Sequence, residues 1–202
     1  MGYIAVVDYG VGNLKSVTNA LKHLGLESRI CGETLELELA DSIILPGVGA
    51  FPDAAERLQQ KGLDSVLKAQ GAIKPILGIC LGMQLLFDFG YEVRPCKGLG
   101  FISGRVERIQ TDFKLPHIGW NSLRLYHDSP LFSGLDDGAC VYFVHSFCGH
   151  ADQREQVIAT TEYGPNITAA VQNGYVFGTQ FHPEKSGDVG LQILKNFGEM
   201  SR

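Results

Sequence analysis

The 202-residue sequence has no Cys-x-x-Cys pair, no run of lysine or arginine, and no apolar stretch long enough to span a bilayer. Each absence removes a class of protein. Five cysteines (Cys31, Cys80, Cys96, Cys140 and Cys148) leave one without a mate and show no metal-ligand spacing, so a reducing compartment fits better than a disulfide framework, and no metal is expected. Against 22 Asp and Glu there are only 17 Lys and Arg, a net charge of −5, and no basic patch is left to displace counterions from phosphates; nucleic-acid binding is not expected. The apolar stretch 43–51 is broken by Pro46, Gly47 and Gly49. The run 3–7 is too short for a signal peptide, and Val6 stands where a myristoylated chain wants Ser or Thr, so a cytoplasmic protein without membrane attachment is expected. The loop Asp8-Tyr9-Gly10-Val11-Gly12-Asn13 lacks both the third glycine of a dinucleotide fingerprint and the Gly-Lys-Ser/Thr of a P-loop, which argues against a nucleotide cofactor. Hydrophobic residues at 45% and charged residues at 19% exclude disorder and suit one domain over residues 1–202 with a sizeable core.

What the chain does contain is alternation of strand and helix. Residues 3–7 read as a buried strand, and 14–24 as a helix with Leu14, Val17, Leu21 and Leu24 on one face, capped by Asn13 and stopped by Gly25. A second buried strand at 42–45 leads to Pro52, which opens a helix over 53–60, with another after Gly62. A strand at 76–79 then gives way to a helical pattern over 83–87. This order implies a parallel sheet with helices on both faces. The second half reads as strands near 102–109, 122–126, 141–145, 157–161, 168–172 and 175–181, several of them antiparallel, before a closing helix over 190–200. The expected fold is α/β with a mixed, mostly parallel sheet.

Chemistry enters where the strand at 76–79 ends, in Gly78-Ile79-Cys80-Leu81-Gly82. This is a nucleophile elbow carrying cysteine, a tight turn that strains its central residue and lifts the sulfur clear of the sheet at a helix N-terminus, where free N–H groups and the dipole favour thiolate. Phe181-His182-Pro183-Glu184 places an imidazole at a strand's carboxyl end and a carboxylate two residues on. Cys80, His182 and Glu184 together make a nucleophilic triad suited to acyl transfer. The oxyanion of such a reaction needs two donors: the N–H of Leu81, by elbow geometry, and one from the glycine-flanked Gly47-Val48 segment of the loop 46–49.

Gly78-Ile79-Cys80-Leu81-Gly82-Met83-Gln84 and Phe181-His182-Pro183-Glu184 resemble the two signatures of class I (triad) glutamine amidotransferases. Stretches 8–14, 46–51, 116–121 and 142–146 further resemble the branch that serves imidazole glycerol phosphate synthase, and the likeness runs nearly end to end. The resemblance implies a flavodoxin-like amidotransferase fold that hydrolyses L-glutamine without a cofactor and passes ammonia to a (βα)₈-barrel cyclase subunit in a heterodimer. It implies glutamine-binding roles for Gly49, Gln84, Glu92, Ser146 and Phe147, the last two through backbone. Tyr142 and Lys185 match positions near the ammonia exit, and Asn13, Trp120 and Asn121 fall where the partner would press. Phe147 replaces a common tyrosine, and the stretch around Glu92 is less acidic than usual. A sugar-amidating synthase is the nearest rival reading, and an elbow-cysteine protein of the DJ-1 or peptidase sort lacks the Phe181–Glu184 ending. His117, His145 and His150 read as structural.

Overall fold

In the computed structural model, which describes residues 2–126 and 128–200, the first strand, β1 (Ile4–Val7), shows why apolar runs dominate the first half. All four residues are buried: Ala5 and Val7 join one core, Ile4 and Val6 the other. A strand covered on both faces has no side left for polar residues. It is followed by α1 (Leu14–His23), β2 (Ser28–Cys31), α2 (Thr34–Leu39), β3 (Ser42–Gly47), α3 (Phe51–Gln60), α4 (Leu63–Gln70) and β4 (Ile76–Cys80). Then come the single turn α5 (Leu81–Gln84), β5 (Phe87–Gly90), β6 (Cys96–Lys97), β7 (Ile102–Arg108), β8 (His117–Ser122) and β9 (Arg124–Leu125). The chain continues through β10 (Cys140–His145), β11 (Phe147–Ala151), β12 (Val157–Glu162), β13 (Asn166–Asn173) and β14 (Val176–Thr179) to α6 (Gly187–Glu199).

The main sheet has eight strands in the order β2-β1-β3-β4-β14-β13-β12-β9. Its first five are parallel, and β13, β12 and β9 complete it in antiparallel pairing. Leu37, Ala54, Leu58, Leu63 and Leu67 of α2, α3 and α4 cover one face; Val17 and Leu21 of α1 with Ile193, Leu194 and Phe197 of α6 cover the other. A four-stranded sheet (β11-β7-β5-β6) and the antiparallel pair β8–β10 flank the carboxyl ends of the parallel strands. Among the described residues no helix is long and apolar enough to cross a membrane.

Several local expectations differ from what is observed. No element is expected between residues 25 and 41, where β2 and α2 form: β2 is an edge strand with Arg29 and Ile30 exposed, so it carries no buried run, and α2 reads Thr-Leu-Glu-Leu-Glu-Leu, which lacks a helical period. A reciprocal cap makes it a helix: Glu36 accepts from the N–H of Glu33, and only Leu37 is buried. The helix expected over 83–87 ends at Gln84, because the Leu86 carbonyl accepts the N–H groups of Phe101 and Ile102 and Phe87 starts a strand. Asn13 precedes α1 but its side chain makes no capping bond. The strand expected at 122–126 is divided between β8 and β9, and that at 175–181 stops at Thr179.

Candidate active site

Cys80 ends β4 with φ 56° and ψ −110°, one of only two non-glycine residues of positive φ among those described. Such a conformation costs on the order of 1–3 kcal/mol and persists only where its surroundings enforce it. Here the enforcement is close packing around the two motif glycines. A Cβ on Gly78 would lie 2.6 Å from the Gly82 carbonyl oxygen, and one on Gly82 would collide with the carbonyl oxygen of Leu45 in β3. Gly47, paired with Cys80 across β3–β4, has Tyr9 Oη, Gly82 N and Leu81 Cβ within 2.9 Å of where its own Cβ would be. The elbow is thus wedged against the neighbouring strand. The helix expected behind the sulfur is one turn of four residues, so what it contributes is the free N–H groups of that turn, beginning at Leu81, and little dipole.

His182 follows β14 and is anchored through backbone: its N–H donates to Tyr142 O, and its carbonyl accepts from Ser186 Oγ. Its Nδ1 lies 2.8 Å from Glu184 Oε1, with side chains only 3% and 1% exposed. Burial works against a charge on this imidazole, but contact with the Cys80 sulfur and the Glu184 carboxylate outweighs it and raises His182 to about 9. The arrangement therefore favours a protonated imidazole, held between the Cys80 sulfur and the Glu184 carboxyl group. Nε2 is close enough to Cys80 for the charges to couple, yet it makes no hydrogen bond of ordinary distance and angle.

Cys80 and His182 open onto a cavity of about 340 Å³ that is also lined by Val48, Gly49, Leu81, Gln84 and Glu92. Pro116, Val144, His145, Ser146 and Phe147 close the other side. All five residues expected to bind an amino-acid substrate therefore meet at one cavity. Glu92 is held by the N–H of Phe51, the first residue of α3, at 2.8 Å. Gln84 Nε2 donates to the Phe147 carbonyl at 3.1 Å. Of the loop expected to supply a second oxyanion donor, Val48 and Gly49 line the cavity, whereas Gly47 is packed beneath the elbow.

Residues 5–200 match the model of the family glutamine amidotransferase class-I. The chain belongs to that family. It is 48% identical over 196 residues to the imidazole glycerol phosphate synthase subunit HisH of Bacillus cereus (strain G9842), covering 96% of this chain and 93% of that one. The protein of the same name from Bacillus mycoides (strain KBAB4) is 46% identical over the same coverage. In fold, the amidotransferase is similar to a putative GMP synthase protein from Thermoplasma acidophilum (TM-score 0.78, 22% identity, covering 100% and 94% of the two chains). It is similar also to PurLQS from Thermotoga maritima (TM-score 0.76, 23% identity, 97% of each chain).

Beside the cavity the amidotransferase presents the residues expected to meet a partner. Trp120 is 58% exposed and sits across the β8–β10 pair from Tyr142, edge-on at 6.1 Å between ring centroids. Lys185 is exposed and Asn13 half-buried. Asn121 differs: its carboxamide donates to the Glu162 carbonyl at 2.8 Å and accepts from the N–H of Ser122, so it is engaged within the chain. His117 and His145 form a buried pair, Nδ1 to Nε2 at 3.0 Å, with His145 Nδ1 donating to the Phe147 carbonyl. Burial pushes His145 down to about 4 and lowers His117 as well, so both are neutral near pH 7. His145 is structural in its bonding and also a cavity wall; Pro116 and Val144 are walls too, and although all three lie in the stretches 116–121 and 142–146, their residue types gave no sign of a place at the site.

Proposed function

We propose that this amidotransferase is the glutaminase subunit of an imidazole glycerol phosphate synthase. The observation that carries the reading is the strained Cys80 beside the buried His182–Glu184 pair, on a cavity that Glu92 also lines. L-glutamine enters with its α-ammonium toward Glu92 and its amino-acid end held by Gly49, Gln84 and the backbone of Ser146 and Phe147. Cys80 Sγ attacks the side-chain carboxamide carbon, and the oxyanion is met by the N–H of Leu81 and that of Val48, in the Gly47–Val48 peptide. His182 gives its Nε2 proton to the departing nitrogen, which leaves as ammonia and a thioester remains. Water then attacks the thioester, His182 takes its proton, and glutamate and the Cys80 thiolate are regenerated. Glu184 holds the imidazole's orientation and offsets its charge.

The ammonia passes to a (βα)₈-barrel cyclase docked at Trp120, Tyr142, Lys185 and Asn13, forming a cytoplasmic heterodimer that makes imidazole glycerol phosphate and AICAR for histidine biosynthesis. One domain, residues 1–202, carries the whole glutaminase activity, with neither metal nor cofactor. Cys80→Ala tests the two-site scheme: glutamine hydrolysis should vanish while the assembled complex still makes product from added ammonium salt. Loss of both activities in an intact complex refutes it. The Gly47–Val48 peptide also sets regulation, since only one orientation of its plane offers a donor to the oxyanion. Hydrolysis should be slow in the isolated chain and rise with the cyclase and again with barrel ligand; equal rates in all three samples overturn this.

A further inference from the structure

Behind the cavity lies a side chain that the hydrolysis scheme does not use. Gln180 is completely buried, two residues before His182, with its backbone N–H on the Ala169 carbonyl at 2.8 Å. Its carboxamide sits between two groups of the site: Gln84 Nε2 at 3.0 Å and Cys80 Sγ at 3.7 Å. The orientation of both amides follows from one fixed acceptor. The Phe147 carbonyl can only accept, so the end of Gln84 that approaches it must be the –NH₂. That same –NH₂ gives its second hydrogen to Gln180, which must therefore offer Oε1. Only the Nε2 end of Gln180 is then left for the sulfur. A carbonyl of the cavity wall thus dictates, through two amides, that Cys80 receives a hydrogen bond from below.

We infer that Gln180 donates to the Cys80 sulfur to hold the nucleophile in place and support its thiolate, and that it links the nucleophile to the Gln84–Phe147 wall of the cavity. This deepens the assignment of Cys80 as nucleophile and rests on it. His182 Nε2 is electrostatically coupled to the sulfur without a hydrogen bond of ordinary distance and angle, whereas Gln180 Nε2 lies within hydrogen-bond reach of it at 3.7 Å. A thiolate carries its charge on a large, polarisable atom that accepts at longer distance than oxygen, and a buried one gains most from a donor that needs no reorganisation.

The test uses the full chain with Gln180→Glu and Gln180→Met. Glutamate keeps the shape and still accepts from Gln84, but removes the donor and sets a carboxylate beside the sulfur. Methionine removes both polar ends. The readout is the rate of Cys80 alkylation by iodoacetamide from pH 5 to 10, followed by mass spectrometry of the Cys80 peptide. The other titratable neighbours of the sulfur (His182 with Glu184 behind it, and Tyr9) are unchanged in either variant. At pH 7 alkylation should fall roughly tenfold in Gln180→Met, the scale of one net hydrogen bond, and further in Gln180→Glu, with the profile displaced to higher pH. Glutaminase kcat of the Gln180→Glu complex should fall with KM for glutamine little changed. A folded Gln180→Glu protein with the wild-type profile overturns the inference. Should neither variant fold, the side-chain ¹⁵N–¹H signals of Gln180 in the unmutated chain decide: they must move when Cys80 is alkylated, and unmoved signals overturn it. Residual hydrolysis in Cys80→Ala would instead refute the nucleophile assignment beneath it.

Discussion

Replacing Glu184 with glutamine should reshape how stability depends on pH, in a way the geometry sizes in advance. The pair is almost fully removed from solvent, 2.8 Å apart with side chains 3% and 1% exposed, so screening does little to weaken it. Burial opposes the imidazolium, and Cys80 and Glu184 together reverse that and lift His182 from 6.5 to about 9. A raised value means the folded protein keeps a proton that the unfolded chain releases. The stabilisation is complete below pH 6.5 and is lost as pH climbs through 9. At ~1.4 kcal/mol per tenfold, the rise corresponds to about 3 kcal/mol, shared between the two partners. With a neutral amide at 184 only the sulfur offsets the burial penalty, which is unchanged, so more than half of that net gain should go. Urea unfolding of the full chain at intervals from pH 5 to 10 reads this directly. Wild type should lose stability between pH 6.5 and 9, whereas Glu184→Gln should lose less over that window and start lower at neutrality. The acid side supplies a control. His145, pushed down to about 4 by burial, makes stability fall as pH drops from 6.5 toward 4, and this limb should be the same in both proteins. Parallel curves between pH 6.5 and 9 would refute the charged-pair reading. In activity the histidine should matter more than its orienter: His182→Asn should fall below Glu184→Gln, whose own loss approaches ~10⁴-fold in triads of this kind.

Two predictions concern the scaffold of the site. Gly82→Ala should destabilise by roughly 3 kcal/mol or more, because its Cβ meets the Leu45 carbonyl in a buried strand that cannot yield, whereas Gly134→Ala, with φ +77° but open space, should cost only about 1 kcal/mol. Equal thermal shifts for the two would show that backbone conformation alone, and not the wedge beneath the elbow, governs Gly82. Val93, beside Glu92, is 89% exposed with φ 61°, a conformation poorly suited to a β-branched residue. Val93→Asn should raise unfolding free energy by about 1 kcal/mol, seen as a higher urea midpoint at unchanged slope; a lower midpoint would mean that the valine side chain is used.

The elbow was legible from residues alone because its constraint is local: two glycines around a cysteine, at a switch from apolar strand to helix, leave few other conformations. The parallel half of the sheet was legible for a similar reason, since β1, β3 and β4 are buried on both faces and so are written as unbroken apolar runs. Where burial is partial that signal fades. Exposed β2, the alternating leucines of α2 and the glycine- and histidine-containing β11 carry patterns that their own residues do not resolve. What only the tertiary structure decided is which side chains meet. Glu92 is set by the N-terminus of α3, 41 residues away, and Gln180 reaches Gln84 across 96 residues and Cys80 across 100. No spacing in the chain encodes those contacts, because they arise where β3, β4 and β14 bring their carboxyl ends side by side. The same holds for the buried His117–His145 pair, whose neutrality comes from desolvation by residues far away in sequence. A motif specifies the backbone that carries a nucleophile, but the donors, charges and walls around it come from the packing of distant strands.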